Sequence, residues 1–154
     1  MKWDKPLLQS EVKSGYTRTT APTTPYNLQS MYTSMQRSHQ LMEQEVAEGQ
    51  KYDLVIRLRY DAILTAFPDL TKLSTDRLYE IDYRQFHTNL ANNGVIMSYE
   101  ISKIFMNIIS YMDFLYQKGT LLNDEQLITA LVKYKKIPYT ISPKDQFYID
   151  LFRG

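Results

Sequence analysis

The feature that most constrains the fold is a short apolar run, Leu54-Val55-Ile56, inside the segment 52–58. Strands that are covered on both faces carry such runs, whereas half-exposed strands alternate apolar and polar residues. Before this run, apolar residues recur at helical spacing up to Gly49, a residue type that commonly ends helices. A helix followed by a covered strand is typical of layered α/β folds rather than helical bundles. We therefore predict a helix that begins near residue 25 and a buried strand at 52–58 inside a sheet.

The rest of the chain supplies further elements of both kinds. Short β-favouring runs predict three more strands, at 78–81, 95–97 and 137–141. The last of these is predicted to lie at a sheet edge, because Pro138 lacks the N–H that a ladder needs. Ser98 and Asn123 are good N-caps and predict two helices, the first of which continues to Gly119. Residues 59–77 are predicted to be a connection that contains a turn.

A change in composition separates the first residues from the remainder. Residues 1–25 are rich in Thr, Ser and Pro and carry no apolar periodicity, so we predict an irregular N-terminal arm. Residues 26–154 are then predicted to form a single α/β domain, since a chain of this length has the usual size of one domain. Its sheet is expected to be mixed and flanked by helices.

The composition also excludes several classes of function. The chain has 154 residues, no cysteine and a formal net charge of +1. Without cysteine there are no disulfides, thiol nucleophiles or cysteine-ligated metals. The near-neutral charge provides no field that would attract nucleic acid or an anionic membrane. No segment has the ~20 apolar residues of a membrane span, and the first residues do not form a signal peptide. We therefore expect a cytoplasmic protein that does not bind nucleic acid and has no membrane span.

The charged residues after the apolar run are the leading candidates for a binding site. Arg57, Arg59 and Asp61 alternate with Leu58 and Tyr60, so an extended chain places all three charges on one face. Ligands of open α/β sheets bind at the carboxyl ends of strands. Two guanidinium groups beside a carboxylate suit a phosphate, a diphosphate or a sugar. The residues by themselves are equally compatible with a structural Arg–Asp ion pair.

Two aromatic residues join this candidate site. The chain has 13 tyrosines, whose apolar ring and polar tip suit the edge of a core as well as the wall of a cleft, and Tyr60 stands between the charged residues. His87 lies in a polar and aromatic loop, where a histidine is either a hydrogen-bonded surface residue or a base. We include Tyr60 and His87 among the predicted substrate-binding residues.

Residues 26–64 resemble a stretch of bacterial and viral glycosyltransferase-like proteins, many of which act in the synthesis of surface polysaccharides. The resemblance rests on a helix that begins Asn-Leu-Gln-Ser-Met-Tyr-Thr-Ser at residue 27 and a strand Tyr-Asp-Leu-Val-Ile-Arg-Leu-Arg-Tyr-Asp at residue 52. The segments Asn-Asn-Gly-Val-Ile-Met at residue 92 and Asn-Asp-Glu-Gln-Leu at residue 123 resemble later parts of the pattern. The likeness thus covers most of residues 26–153.

This resemblance implies a partial GT-A fold, the fold of transferases that use nucleotide-diphospho-sugars. In that fold a strand ending in Asp-x-Asp holds a divalent ion on the sugar diphosphate. Arg59-Tyr60-Asp61 stands in that place, so the resemblance implies Mg²⁺ or Mn²⁺ on Asp61. Arg59 departs from the metal-binding pattern and brings a positive charge of its own to the diphosphate.

The resemblance also bears on whether the chain is complete. The GT-A fold begins with a nucleotide-binding βαβ unit, and only residues 1–25 precede the first helix here, so we expect the second half of such an enzyme. Two functions are carried forward: a glycosyltransferase-like domain that recognises a sugar nucleotide or a glycan, and a noncatalytic scaffold domain that pairs with another chain. We expect an open sheet edge or apolar face, covered by self-association or by a partner chain.

Overall fold

The structure, a computed structural model, describes residues 25–81, 90, 93–142 and 148–151. Residues 1–24 of the predicted N-terminal arm and His87 lie outside the described residues, and Pro25 belongs to the first helix. Six strands and four α-helices follow one another in the described part of the chain. They form a mixed α/β fold, as the alternation of helical and β-favouring segments predicts.

The first helix, α1, spans Pro25–Ala47 and begins where the sequence predicts. Proline suits a first helical turn because its missing N–H has no helical partner there. Gly49 follows the helix with φ +104°, a backbone conformation that side chains with a Cβ rarely adopt. One face of α1 is buried, and its buried side chains recur at helical spacing: Leu28, Tyr32, Met35 and His39.

The main sheet has four strands in the order β1-β4-β3-β5. Their bounds are Leu54–Leu58 for β1, Leu78–Ile81 for β3, Gly94–Ser98 for β4 and Tyr139–Ser142 for β5. β4 is antiparallel to both β1 and β3, and β5 is parallel to β3. The predicted strands are therefore all present, and β5 lies at an edge as predicted, although it begins after Pro138 rather than at residue 137.

The position of β1 corrects the prediction of a strand inside the sheet. β1 lies at the opposite edge, where it pairs only with β4 among the described strands, and Ile56 is 39% exposed. Its apolar run has a different cause from the one expected. Val55 packs toward the helices, whereas Leu54 and Leu58 pack around Ile96 on the other face of the sheet. One covered face and one partly covered face thus explain the run without a second neighbouring strand.

Residues 59–77 contain a strand that the sequence prediction missed. β2 spans Ala62–Ala66 and pairs antiparallel with β6, Tyr148–Leu151, as a separate two-stranded sheet. Its five residues are too few to show a clear period, and its partner lies far along the chain. A short 3-10 turn at Leu70–Lys72 follows, and Asp69 caps it by accepting from the Thr71 N–H at 3.1 Å.

The predicted helix from Ser98 to Gly119 is interrupted. Ser98 caps α2, Tyr99–Phe105, a 3-10 turn occupies Ile108–Tyr111, and α3 spans Met112–Gln117. The Asn107 side chain donates to the Lys103 carbonyl at 2.8 Å, and such side-chain bonds compete with helical hydrogen bonding. α4, Asp124–Tyr134, begins at its predicted cap, because the Asn123 side chain accepts from the Gln126 N–H at 3.0 Å.

The helices cover one face of the four-stranded sheet and bury the main core there. That core joins α1, the two central strands and α2 to α4, with Tyr32, Phe105, Met112 and Leu127 among its fully buried members. A smaller cluster around Ile96 closes part of the other face. In the part of the chain described here, no helix is long and apolar enough to cross a bilayer.

Candidate functional site

An open groove of about 940 Å³ lies between α1 and the edge strand β1. We call it the α1–β1 groove. One wall is the α1 face that carries Asn27, Ser30, Ser34 and Ser38. The other wall is β1 and the residues after it, 55–60, and Asp124 at the start of α4 lines one part. The open edge of the sheet therefore provides the space, and helix and strand supply the polar groups.

Arg57 lies half-buried in this groove. Burial lowers the pKa of its guanidinium, and the neighbouring charge of Arg59 lowers it further, whereas Tyr32 and Asp124 act in the opposite direction. The cation is thus partly removed from water and sits beside a like charge. A bound anion would reduce the repulsion between the two guanidinium groups.

Arg59 and Asp61 form a two-pronged ion pair at the end of the groove. Arg59 Nε donates to Asp61 Oδ1 at 2.8 Å, and Nη2 donates to Oδ2 at 2.7 Å. The Ala62 N–H bonds the Arg59 carbonyl at 3.2 Å, which folds the chain back so that the carboxylate reaches the fork. These hydrogen bonds hold the pKa of Asp61 below its usual value and raise that of Arg59. Asp61 therefore orients Arg59 and does not itself line the groove.

Serine side chains form a row along α1 on the opposite wall. Ser34 Oγ donates to the Ser30 carbonyl at 2.9 Å, and Ser38 Oγ donates to the Ser34 carbonyl at 3.0 Å. Each hydroxyl proton is thus engaged by the helix backbone, and each hydroxyl oxygen keeps lone pairs that accept hydrogen bonds. This wall presents acceptors to a ligand, whereas the arginine wall presents donors.

His39 is a buried residue of the groove that sequence reasoning did not select. Its Nε2 lies 3.1 Å from Ser102 Oγ, and its Nδ1 lies 3.6 Å from Glu43 Oε1. A serine, a histidine and a carboxylate in this order have the outline of a catalytic triad. Ser102 Oγ donates to the Tyr99 carbonyl at 2.7 Å, however, and the residue is fully buried. Ser102 therefore accepts a hydrogen bond from His39 Nε2 and is not a nucleophile. The helical spacing of His39 from Tyr32 and Met35 is the sequence feature that could have predicted the burial of His39.

The described residues do not fit the divalent ion that the family resemblance implies. Both carboxylate oxygens of Asp61 accept from Arg59. Within 25–81, 90, 93–142 and 148–151, no group of three His, Asp or Glu side chains could hold a metal. A hard cation prefers several oxygen ligands, which this corner does not offer. We therefore derive no step that involves Mg²⁺ or Mn²⁺.

The predicted site residues thus divide into three groups. Arg57, Arg59 and Tyr60 line the α1–β1 groove, and the Tyr60 ring is fully exposed beside it. Asp61 is attached to the site through Arg59. His87 is outside the described residues. The serine row and Asp124 are additions from the structure, because helix packing alone brings them opposite β1.

Comparison with known proteins adds no relative. Searches with the chain against models of protein families, against curated proteins and against solved structures yield no match.

Proposed function

We propose that the α1–β1 groove binds a sugar nucleotide and that the chain is a glycosyltransferase-like domain. The observation that carries the proposal is that the groove places guanidinium donors on one wall and hydroxyl acceptors on the other, among methionine and aliphatic side chains of both walls. A sugar nucleotide has the complementary division, because its diphosphate accepts hydrogen bonds and its sugar hydroxyls also donate them. The sequence resemblance at 26–64 points to the same ligand class.

The diphosphate is expected to lie against Arg57 and Arg59. Asp61 accepts from only two donors of the Arg59 fork, and a guanidinium has five N–H donors, so Arg59 retains donors for a phosphate. Charge-assisted bonds of this kind contribute more than neutral ones, on the order of 1.5–3 kcal/mol each. The anion would also offset the repulsion between the two arginines.

The sugar is expected to lie along α1. Its hydroxyl groups would donate to Ser34 and Ser38, whose own protons are engaged by backbone carbonyls. Tyr60 projects into solvent at the mouth of the groove, where its ring offers a face for the base or for a sugar ring.

A second candidate is a noncatalytic scaffold domain. It is favoured by the open edge of β1 and by several large apolar side chains that are exposed near that edge or on β2. These side chains are Tyr52 and Ile56 near the edge, Ile63 and Leu64 on β2, and Phe67 directly after β2. An open edge strand is a site for pairing with another chain.

Calorimetric titration with a UDP-sugar, a GDP-sugar and the free nucleoside diphosphates tests the first candidate. Arg59→Ala should weaken binding roughly tenfold or more, because one charge-assisted contact is lost. Arg77→Ala is the matched control: Arg77 is also 40% exposed and bonds a neighbouring aspartate at 3.0 Å, but it does not line the groove. Absence of binding by the wild-type chain, or equal losses in both variants, would leave only the scaffold candidate.

A further inference from the structure

The outer edge of β1 presents backbone groups that the β1–β4 ladder does not use. The Arg59 N–H donates to the Asn93 carbonyl at 3.2 Å, and this pair continues the β1–β4 register. Hydrogen-bonded pairs alternate along an antiparallel ladder, so the odd-numbered residues of β1 direct their backbone groups to β4. The even-numbered residues direct theirs outward, where no other described strand pairs with them: Leu54, Ile56 and Leu58.

The sequence around this edge is complementary to itself when read in the opposite direction. If Ile56 is placed opposite a second Ile56, Asp53 falls opposite Arg59, and the pairing ends there because the chain reverses between Arg59 and Ala62. The same register places the apolar side chains of Leu54 and Leu58 opposite each other. Opposite charges directly across an antiparallel pair stabilise it, and like charges destabilise it.

We propose that two copies of this chain associate through antiparallel pairing of their β1 strands, with Ile56 at the two-fold axis. A two-fold interface uses the same surface in both copies, so a strand must be complementary to itself, as this one is. The outward backbone groups also match, because even-numbered residues meet even-numbered residues and exchange both hydrogen bonds. The two main sheets would become one continuous sheet.

Charge distinguishes this register from its neighbours, because neither neighbour gains a net attraction between charged side chains. Only shifts of two residues keep outward backbone groups opposite one another. A shift in one direction places Arg57 opposite itself, whereas a shift in the other places Lys51 opposite Arg59 and Asp53 opposite Arg57. The first alternative brings like charges together, which specific interfaces use to reject wrong partners, and in the second the like and opposite charges balance.

The surface that would be covered is apolar as well as charged. Tyr52 and Ile56 are each 39% exposed in the single chain. Val55 would lie opposite the partner's Arg57 on the helix-covered face, so this guanidinium would approach the α1–β1 groove. The two Arg57 side chains would be diagonal neighbours, and their repulsion is the one unfavourable charge term in this register.

Sedimentation equilibrium without any sugar nucleotide tests the proposal from micromolar to millimolar protein concentration. The wild-type chain should show a reversible monomer–dimer equilibrium. Ile56→Pro should abolish it, because proline removes the outward N–H at the centre of the pairing and leaves the β1–β4 ladder intact. Val55→Pro is the contrasting variant, since it removes an N–H that β4 uses and should lower the unfolding midpoint. A wild-type chain that is monomeric throughout would overturn the proposal.

Two charge variants provide a test that does not depend on proline. Asp53→Lys and Arg59→Glu should each weaken self-association by roughly tenfold, because like charges then face each other twice. An equimolar mixture of the two variants should associate again as a heterodimer, since both pairs in it are opposite in charge. A dimer that forms equally well in each single variant uses another surface, and a mixture that stays monomeric excludes this register.

Discussion

The Arg59–Asp61 pair allows a sharp test of whether these residues serve stability or binding. The perturbation is a double-mutant cycle made from Arg59→Ala, Asp61→Asn and the combined variant. In the structure the Arg59 side chain is 40% exposed and that of Asp61 is 21% exposed, so water screens the pair despite its good geometry. Exposed pairs of this kind contribute ~0.2–1 kcal/mol to the free energy of unfolding.

That magnitude translates into a small shift of the thermal midpoint. For a domain of this size, 1 kcal/mol corresponds to about 2–4 °C, so each single variant should lose no more than this at pH 7. Asp61 has a lowered pKa in the folded state, so its contribution is present above the usual carboxyl pKa and is lost as pH falls through the folded value. The coupling energy should therefore be full at neutral pH and vanish in acid, below both pKa values.

The assay is thermal or urea unfolding followed by circular dichroism, across a pH series that ends below the lowered Asp61 pKa. A loss of several kcal/mol at pH 7 would show that Asp61 behaves as a buried carboxylate left without its partner. A coupling energy that persists in acid would show that the charge on Asp61 is not its source. Either result would refute the view that the pair orients Arg59 at little cost to stability.

Three further perturbations test the fold around the site. Asn123→Ala should lower the free energy of unfolding by about 1 kcal/mol, because the Gln126 N–H loses its cap; urea unfolding measures this, and an unchanged value would contradict it. Phe105→Ala should cost about 3–5 kcal/mol by the same method, since the ring is only 1% exposed and its removal leaves a cavity. Gly49→Ala should cost on the order of 1–3 kcal/mol from backbone strain alone, because nothing lies within 4 Å of an added Cβ. Proteolytic cleavage after Ala47 should then be faster in this variant. A variant that is more stable than the wild type would show that Gly49→Ala introduces no backbone strain.

The boundaries of several elements are local properties, and the sequence alone predicted them. Pro25 and Gly49 bracket α1 because one tolerates a helix start and the other a positive φ. Ser98 and Asn123 begin helices because their side chains reach backbone N–H groups within the same turn. Asn107, a residue that competes with helical bonding, marks the interruption after α2, although we predicted a continuous helix.

The arrangement of these elements was decided only by tertiary packing. An apolar run such as that of β1 is expected of any strand with two covered faces, so it does not distinguish the edge of a sheet from its centre. β2 is defined by a partner near the other end of the chain, a distance over which local preferences carry no information.

The candidate site likewise has a part that the local sequence determines and a part that tertiary packing determines. The spacing of residues along one segment predicted Arg57 and Arg59 as site residues. The chain reversal at Asp61 also depends only on neighbouring residues. The serine row faces them only because α1 packs beside the open edge of β1, and His39 is buried only because α2 covers it. Local sequence therefore determined which groups are available, whereas packing between distant segments determined which of them share a groove.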